Sequence, residues 1–359
     1  MKFSSNDKIS NNQLRAIISS FLLGSLAVSL PLRTIEISKS SAYISILLGG
    51  IFISVWYYFT AKFFQNTDIK NYEEDSLKIF GKRFGKLLLA VIFINILICL
   101  SFRLSEYSNM INSVTDKNTN FLTAIFFIVL VSGFMAQKGI ECIGRTSEIA
   151  FIVMIFSMLL IFLMAVRNMD FDILIPVFSE KKEILKGAFD AFLSFDFAGY
   201  IFLLMPKSNN RKNCHKYVLT AFFTVYIVLA FTTALSVSSF GIKESQRKIW
   251  PVIQMMNYID FPSSLVERQE VLMSGFYLFS VFILAGMGIY ILSVLLEIMF
   301  ETDKKKVYIF VSAVLLLISA YIINILGLNI SIIIKILNVL TYFLILLLPV
   351  KIIIRRKRK

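Results

Sequence analysis

The sequence predicts an all-α, polytopic membrane protein with about ten transmembrane helices. The chain has 359 residues, of which 57% are hydrophobic and only 17% are charged, and its mean hydropathy is +0.76. A soluble domain carries about 25% charged residues, and a soluble chain of this length cannot bury so much apolar surface. The composition therefore excludes soluble enzymes, nucleic-acid-binding proteins and disulfide-stabilised secreted domains.

The apolar segments are long enough to cross a bilayer, which requires about 20 residues each. The predicted spans 1 to 10 are residues 12–31, 41–64, 87–108, 121–138, 147–166, 187–206, 216–240, 270–299, 307–326 and 330–350. Spans 9 and 10 are separated at Gly327, because a single helix over both would be about 65 Å long. No segment is left for a soluble domain, so residues 1–359 form one membrane domain with a basic tail at 351–359.

The distribution of basic residues predicts the orientation. With the amino terminus inside, the segments on that side contain 24 Lys and Arg residues and the opposite loops contain 11. Because basic residues concentrate on the cytoplasmic side of membrane proteins, both termini are predicted to be cytoplasmic. The inner segment 65–86 has aromatic residues among basic ones, and it is interpreted either as a helix in the membrane interface or as a solvated loop.

Glycine and proline recur at matching positions in the two halves. Gly24 precedes Pro31 by seven residues in span 1, and Gly199 precedes Pro206 by seven in span 6. The two glycines are 175 residues apart, and so are the two prolines. Because span 6 comes five spans after span 1, the two halves of the chain cross the membrane in opposite directions. This pattern predicts an inverted repeat whose first helices are broken within the membrane. The alternative interpretation is that the glycines only allow helices to pack closely.

Broken helices predict a binding site between the two repeats, residues 12–166 and 187–350. Their free N–H and C=O groups require partners, and a small zwitterion offers a charge of each sign. Asp196 lies near the middle of span 6. It is expected either to bind an ammonium group or proton, or to have a structural role in which it is protonated or paired with a basic residue. The predicted ligand-binding residues are Gly24, Ser25, Phe195, Asp196, Phe197, Gly199 and Tyr200.

Other charged residues in or beside the spans are interpreted more simply. Arg103 and Glu106 lie one helical turn apart in span 3, which predicts a structural ion pair. Glu141, Arg145 and Glu148 share one helix face at the inner end of span 5, and they form either a gate or ion network or a topology anchor. A single histidine and three scattered cysteines predict no catalytic residues, no metal site and no cofactor.

Five segments carry a resemblance to a known family. They are residues 8–13 (KISNNQ), 138–149 (KGIECIGRTSEI), 175–178 (IPVF), 250–251 (WP) and 267–270 (ERQE). In this order and beside these spans, they resemble the B subunits of spore germinant receptors, in the amino acid–polyamine–organocation transporter superfamily. The resemblance implies a leucine-transporter-like fold of five plus five helices. Where a Gly-Glu-like pair is expected in span 6, this chain has Ala198 and Gly199.

The resemblance also implies a role in the inner membrane of bacterial spores. Such a subunit binds a small nutrient, commonly an amino acid, and signals to an A subunit and a lipoprotein C subunit without enzyme activity. Two other functions remain open from the residues. One is a secondary amino acid transporter, ion- or proton-coupled, with the same site, and the other is a structural membrane partner with a vestigial site.

Overall fold

The computed structural model of the chain describes residues 8–65, 72–114, 121–165, 169–175, 181–196, 200–211, 213–255, 269–327 and 330–357. The helices in these ranges are α1 (Asn11–Leu26), α2 (Leu30–Ser38), α3 (Ala42–Gln65), α4 (Tyr72–Phe80), α5 (Lys82–Val114), α6 (Phe121–Gln137), α7 (Ile140–Ala165), α8 (Lys181–Ser194), α9 (Ile201–Leu204), α10 (Cys214–Phe240), α11 (Ile242–Arg247), α12 (Pro251–Gln254), α13 (Gln269–Phe300), α14 (Lys305–Ile325) and α15 (Ser331–Lys357). The described residues are thus almost entirely helical, as predicted.

The ten-span layout is recovered when the interrupted helices are included. Seven segments of the described chain are long and apolar enough to cross a membrane, and they contain α3, α5, α7, α10, α13, α14 and α15. Helix α6 is apolar but has 17 residues. The other two predicted spans are interrupted and consist of α1 with α2 and of α8 with α9.

Helix α13 lies at the centre of the bundle. It packs against α1, α5, α6, α7 and α14, while α1 also packs against α10. Helices α6, α7 and α14 expose large apolar side chains such as Phe134, Phe156 and Phe310, each more than 60% exposed. A membrane protein places such side chains against lipid, so α1 and α13 are interior and α6, α7 and α14 belong to the periphery.

The interruption in span 1 lies at residues 27–29, later than predicted. Pro31 is near the start of α2, and its ring has no N–H and clashes with the carbonyl four residues earlier, so a helix cannot continue through this point. Gly24, in contrast, is inside α1. A Cβ atom added to Gly24 would lie 2.8 Å from the carbonyl oxygen of Ser280 on α13. The prediction that Gly24 forms the break is therefore wrong, and this glycine serves close helix packing.

The interruption in span 6 lies where the sequence predicted it. Helix α8 ends at Ser194 and α9 begins at Ile201. Between them, Phe195, Asp196 and Tyr200 are described, whereas Phe197 and Gly199 lie outside the described residues. The half of span 6 on the predicted inner side is short, because a 3-10 turn that contains Pro206 follows α9 at Met205–Lys207.

The inner ends of the two interrupted spans are tied together. Ser10 caps α1 by accepting a hydrogen bond from the Gln13 N–H at 3.1 Å, and the Ser10 N–H donates to Gln13 Oε1 at 3.0 Å. The Ile9 N–H donates to the Lys207 carbonyl at 2.9 Å, and the Asn209 N–H donates to the Ile9 carbonyl at 2.9 Å. The residues 8–13 therefore both start span 1 and fix it to the end of span 6.

The inner segment between spans 2 and 3 contains a helix rather than only a solvated loop. Helix α4 packs against α5 and α15. Tyr72 is fully buried, and its hydroxyl donates to the Leu344 carbonyl at 3.1 Å. The aromatic residue at the start of α4 thus anchors it across the inner end of the bundle.

Candidate functional site

A buried carboxylate lies at the break of span 6. Asp196 is 0% exposed and accepts hydrogen bonds from Arg103 Nε at 2.6 Å, from the Ser25 hydroxyl at 3.1 Å and from Asn338 Nδ2 at 2.8 Å. A second guanidinium nitrogen, Nη2, also contacts it. Of the two interpretations of Asp196, the structure shows pairing with a basic residue. Its carboxylate is therefore matched by charge and by hydrogen bonds inside the protein.

Arg103 connects both interruptions through a single guanidinium group. Besides Asp196, it donates through Nη1 to the Ser29 hydroxyl at 2.5 Å and to Glu106 Oε2 at 2.7 Å. The predicted pair of Arg103 and Glu106 is confirmed, but the link to Asp196 was missed. The signal was available, since an arginine inside a span requires a carboxylate at a similar depth. Ser29 belongs to the break of span 1, so Arg103 bridges spans 1, 3 and 6.

Those predicted binding residues that the structure describes are buried among protein atoms. The Ser25 hydroxyl contacts Asp196 directly, and the Phe195 carbonyl accepts a hydrogen bond from the Tyr342 hydroxyl at 2.7 Å. The Gly24 carbonyl accepts from the Tyr277 hydroxyl at 2.6 Å. These four predicted residues and Tyr200 therefore lie in the region of the breaks, while Phe197 and Gly199 lie outside the described residues.

The space beside the predicted residues is narrow in this conformation. Tyr200 lines a cavity between α1, α9 and α13 of about 10 Å³, which corresponds to about one water molecule. Its walls are apolar and include Ile17, Phe21 and Met287. An amino acid requires the surrounding helices to separate before it occupies this position.

A larger cavity opens on the predicted outer side. This outer vestibule has a volume of about 380 Å³, within the range of small-molecule sites. Its lining comes from the break of span 1, from α2, α5 and α14, and from the segment before α12. The lining residues that matter for its chemistry are Ser29, Arg33, Glu36, Glu106, Trp250 and Asn324. Ser29 and Glu106 are partners of Arg103, so the vestibule reaches the buried network. No local sequence pattern predicts this cavity, because it forms from segments far apart in the chain.

An inner vestibule of about 340 Å³ lies at the opposite end of the bundle, between α4, the end of α9 and the end of α13. Glu73 lines it and is only 6% exposed. Burial raises the pKa of the Glu73 carboxyl to about 7. Lys207, at the end of span 6, also lines this vestibule and partly offsets that effect.

The predicted gate residues form only a weak contact. Glu141 Oε2 and Arg145 Nη2 are 3.8 Å apart, and the Arg145 side chain is 54% exposed. Glu148 has no ion pair with a residue in the described part of the chain. Within the described ranges, no group of three or more His, Cys, Asp or Glu residues is arranged to hold a metal ion.

Solved structures with the same fold are secondary transporters. A Na⁺-coupled sialic acid symporter in a substrate-bound, outward-open state has a TM-score of 0.64 at 13% identity, over 95% of this chain and 80% of that chain. Mhp1, a nucleobase-cation-symport-1 family transporter in a closed conformation with bromovinylhydantoin bound, has a TM-score of 0.63 at 13% identity, over 92% and 75%. These similarities establish the amino acid transporter-like fold.

Relatives in sequence come from Bacillus subtilis (strain 168). The chain is 25% identical to spore germination protein YndE over 271 residues, which are 75% of this chain and 74% of YndE. It is 22% identical to spore germination protein B2 over 266 residues, 74% and 72% of the two chains. For spore germination protein KB the identity is 23% over 292 residues, which are 77% of this chain and 76% of that protein. The model of the family described as "Spore germination protein" matches residues 8–328, so the chain belongs to this family of membrane proteins.

Proposed function

We propose that the chain is the integral membrane subunit of a receptor that senses a small nutrient and starts spore germination. The observation that carries this proposal is the guanidinium of Arg103, which joins the breaks of spans 1 and 6 at one buried point. Membership of the spore germination family supplies the biological context. The proposed location is the inner membrane of the spore, with both termini in the cytoplasm.

The nutrient is proposed to bind between the two broken spans. Ser25, Phe195, Asp196 and Tyr200 lie there, and Phe197 and Gly199 belong to the same segment of the sequence. Gly24 is proposed to shape this site by allowing α1 to approach α13 closely. An amino acid fits the chemistry, because half-helix ends and a buried ion pair offer partners to both of its charges.

Signalling requires that the nutrient bind one conformation better than another. The Arg103 network offers such a difference, because any change in its partners alters how α2 and α8 are held relative to α5. The new arrangement is then passed to partner subunits, proposed to be an A subunit and a lipoprotein C subunit. Coupling of this kind is reciprocal, so partner binding also changes nutrient affinity.

A secondary transporter of amino acids is the second candidate function. It is favoured by the fold, which the sialic acid symporter and Mhp1 share with this chain. In that case the same breaks bind the solute, and alternating access carries it across the membrane. Neither function includes catalysis.

The two functions predict different phenotypes for a deletion strain. For the receptor, deletion abolishes germination with at least one nutrient, while growth on that nutrient continues, and the restored gene recovers germination. The nutrients tested include each amino acid and several sugars, and a strain lacking its other germinant receptors avoids redundancy. Normal germination with every nutrient, together with loss of growth on one of them, would contradict the receptor function.

A further inference from the structure

The outer vestibule contains an arginine, Arg33, that has no direct ionic partner among the residues that the structure describes. Arg33, on α2, lines this cavity and is partly buried. Among the described residues, no hydrogen bond or ion pair to its guanidinium is present. An arginine that is partly removed from water gains from a bidentate partner such as a carboxylate. The guanidinium therefore offers a binding position for an anionic group.

A carboxylate lies in the same cavity. Glu106 lines it and uses one oxygen, Oε2, for Arg103. Its side chain is 14% exposed, in contrast to Arg103 at 2%. The vestibule thus presents the guanidinium of Arg33 and the carboxylate of Glu106, with the indole of Trp250 in the same lining and a second, exposed carboxylate from Glu36.

We propose that the outer vestibule is a recognition site for a zwitterionic α-amino acid, with its carboxylate on Arg33 and its ammonium group on Glu106. The volume of about 380 Å³ accommodates such a solute. A sugar satisfies neither charged group as well, and an anion or a cation alone leaves one of them unmatched. The proposal rests on the proposed nutrient-binding function, to which it adds a second, outer position and the residues that recognise each charge of the amino acid.

The outer site is connected to the two breaks by one residue. An ammonium group at Glu106 competes with Arg103 for the same carboxylate, and Arg103 also contacts Ser29 and Asp196. Binding in the vestibule therefore weakens one of the contacts that hold spans 1, 3 and 6 together. This gives a solute outside the membrane an influence on the buried network before the narrow inner cavity opens.

Trp250 allows the proposal to be tested directly. The chain has two tryptophans, and the other, Trp56, packs against Phe202 and Tyr342 away from the vestibule. Substituting Trp56→Phe in the full-length purified protein leaves Trp250 as the single indole. Its fluorescence is then titrated with each of the common L-amino acids. For tryptophan as a ligand, a non-fluorescent analogue is used instead.

At least one amino acid is expected to change the Trp250 fluorescence saturably, and its amide, which lacks the carboxylate, is expected to bind far more weakly. Arg33→Gln should raise the half-saturating concentration about tenfold or more, the loss typical of a hydrogen bond to a charged group. The matched control is Lys243→Gln, which removes an exposed outer cation on α11. Size-exclusion elution and helix content establish that each variant is folded.

Three results would overturn the proposal. The first is that no amino acid changes the Trp250 fluorescence saturably. The second is that Arg33→Gln and the wild type have the same half-saturating concentration. The third is that the amide binds as tightly as the amino acid. If Arg33→Gln does not fold, Arg33→Lys keeps the charge without the bidentate fork and should still bind more weakly than the wild type. Because fluorescence reports on the vestibule alone, failure here leaves germination in the deletion strain as a separate test of the proposed function.

Discussion

At the scale of single residues, the decisive feature is a buried cluster with one cation and two carboxylates. Arg103 contacts both Asp196 and Glu106, and each of these side chains is at least 86% buried. Removing the cation leaves two carboxylates in a region of low dielectric without their partner. Removing one carboxylate still leaves Arg103 paired with the other. Removing the cation therefore lowers the free energy of unfolding more than removing one carboxylate.

Arg103→Gln is expected to destabilise the protein by about 3–5 kcal/mol, the cost of breaking a buried ion pair on one side. Asp196→Asn should cost less, about 1.5–3 kcal/mol, because its charged hydrogen bonds are lost while Glu106 remains as a counter-charge for Arg103. Thermal unfolding of the purified protein in detergent gives the order of the two midpoints. A larger drop in the unfolding midpoint for Asp196→Asn than for Arg103→Gln would contradict this explanation of the cluster.

Gly24 provides a second test at this scale. Gly24→Ala places a methyl group 2.8 Å from the Ser280 carbonyl, so α1 and α13 must separate at an expected cost of about 1–3 kcal/mol. Gly275→Ala, on α13, is the matched control, since no described atom outside its own stretch of helix backbone lies within 4 Å of its added Cβ. Unfolding midpoints of both variants measure the difference. A break at Gly24, as the sequence suggested, would instead tolerate the methyl group.

At the scale of the elements, α4 connects the inner vestibule to the fold. Its buried face includes Tyr72, which is anchored to α15, and Glu73, which lines the vestibule. Burial raises the Glu73 pKa from 4.5 to about 7. Between these pH values the folded protein retains a proton that the unfolded chain releases, so the free energy of unfolding falls as the pH rises.

Glu73→Gln should remove this decline. At pH 7.5 the variant is expected to be more stable than the wild type by on the order of 3 kcal/mol, whereas near pH 4.5 the two should be similar. Glu74→Gln, which removes a mostly exposed carboxylate of the same helix, is the control and should keep the decline. Unfolding midpoints between pH 4.5 and 8 provide the measurement, and parallel pH profiles for wild type and Glu73→Gln would refute the prediction.

Sequence analysis predicted the elements better than their contacts. Hydropathy locates the spans, because each must be largely apolar, and only the division between spans 9 and 10 also required helix length and the turn at Gly327. Pro31 and Pro206 correctly indicated interrupted helices, although the break of span 1 follows Gly24 by one turn. The link from Arg103 to Asp196 and the outer vestibule depend on residues that are distant in the chain. For the link, an intramembrane arginine indicated that a buried carboxylate was needed but not which one, and for the vestibule no local pattern indicates which distant residues meet.

At the scale of the whole molecule, the even number of spans predicts both termini on one side. Reporter fusions after Lys212 and after Lys359 should both report a cytoplasmic location, because 24 basic residues lie on that side and 11 on the other. A fusion in the loop at residue 117 is the control and should report the outer side. An external signal from either of the first two fusions would contradict the inverted repeat.

The central claim is that the chain senses a nutrient rather than transporting it. The most direct measurement is uptake of the nutrient whose germination response is lost on deletion, with the purified protein in lipid vesicles and an imposed sodium or proton gradient. The account predicts saturable binding of the labelled nutrient, and the amount retained by the vesicles does not rise when the gradient is imposed. Gradient-driven, concentrative uptake would contradict it and identify the chain as a secondary transporter.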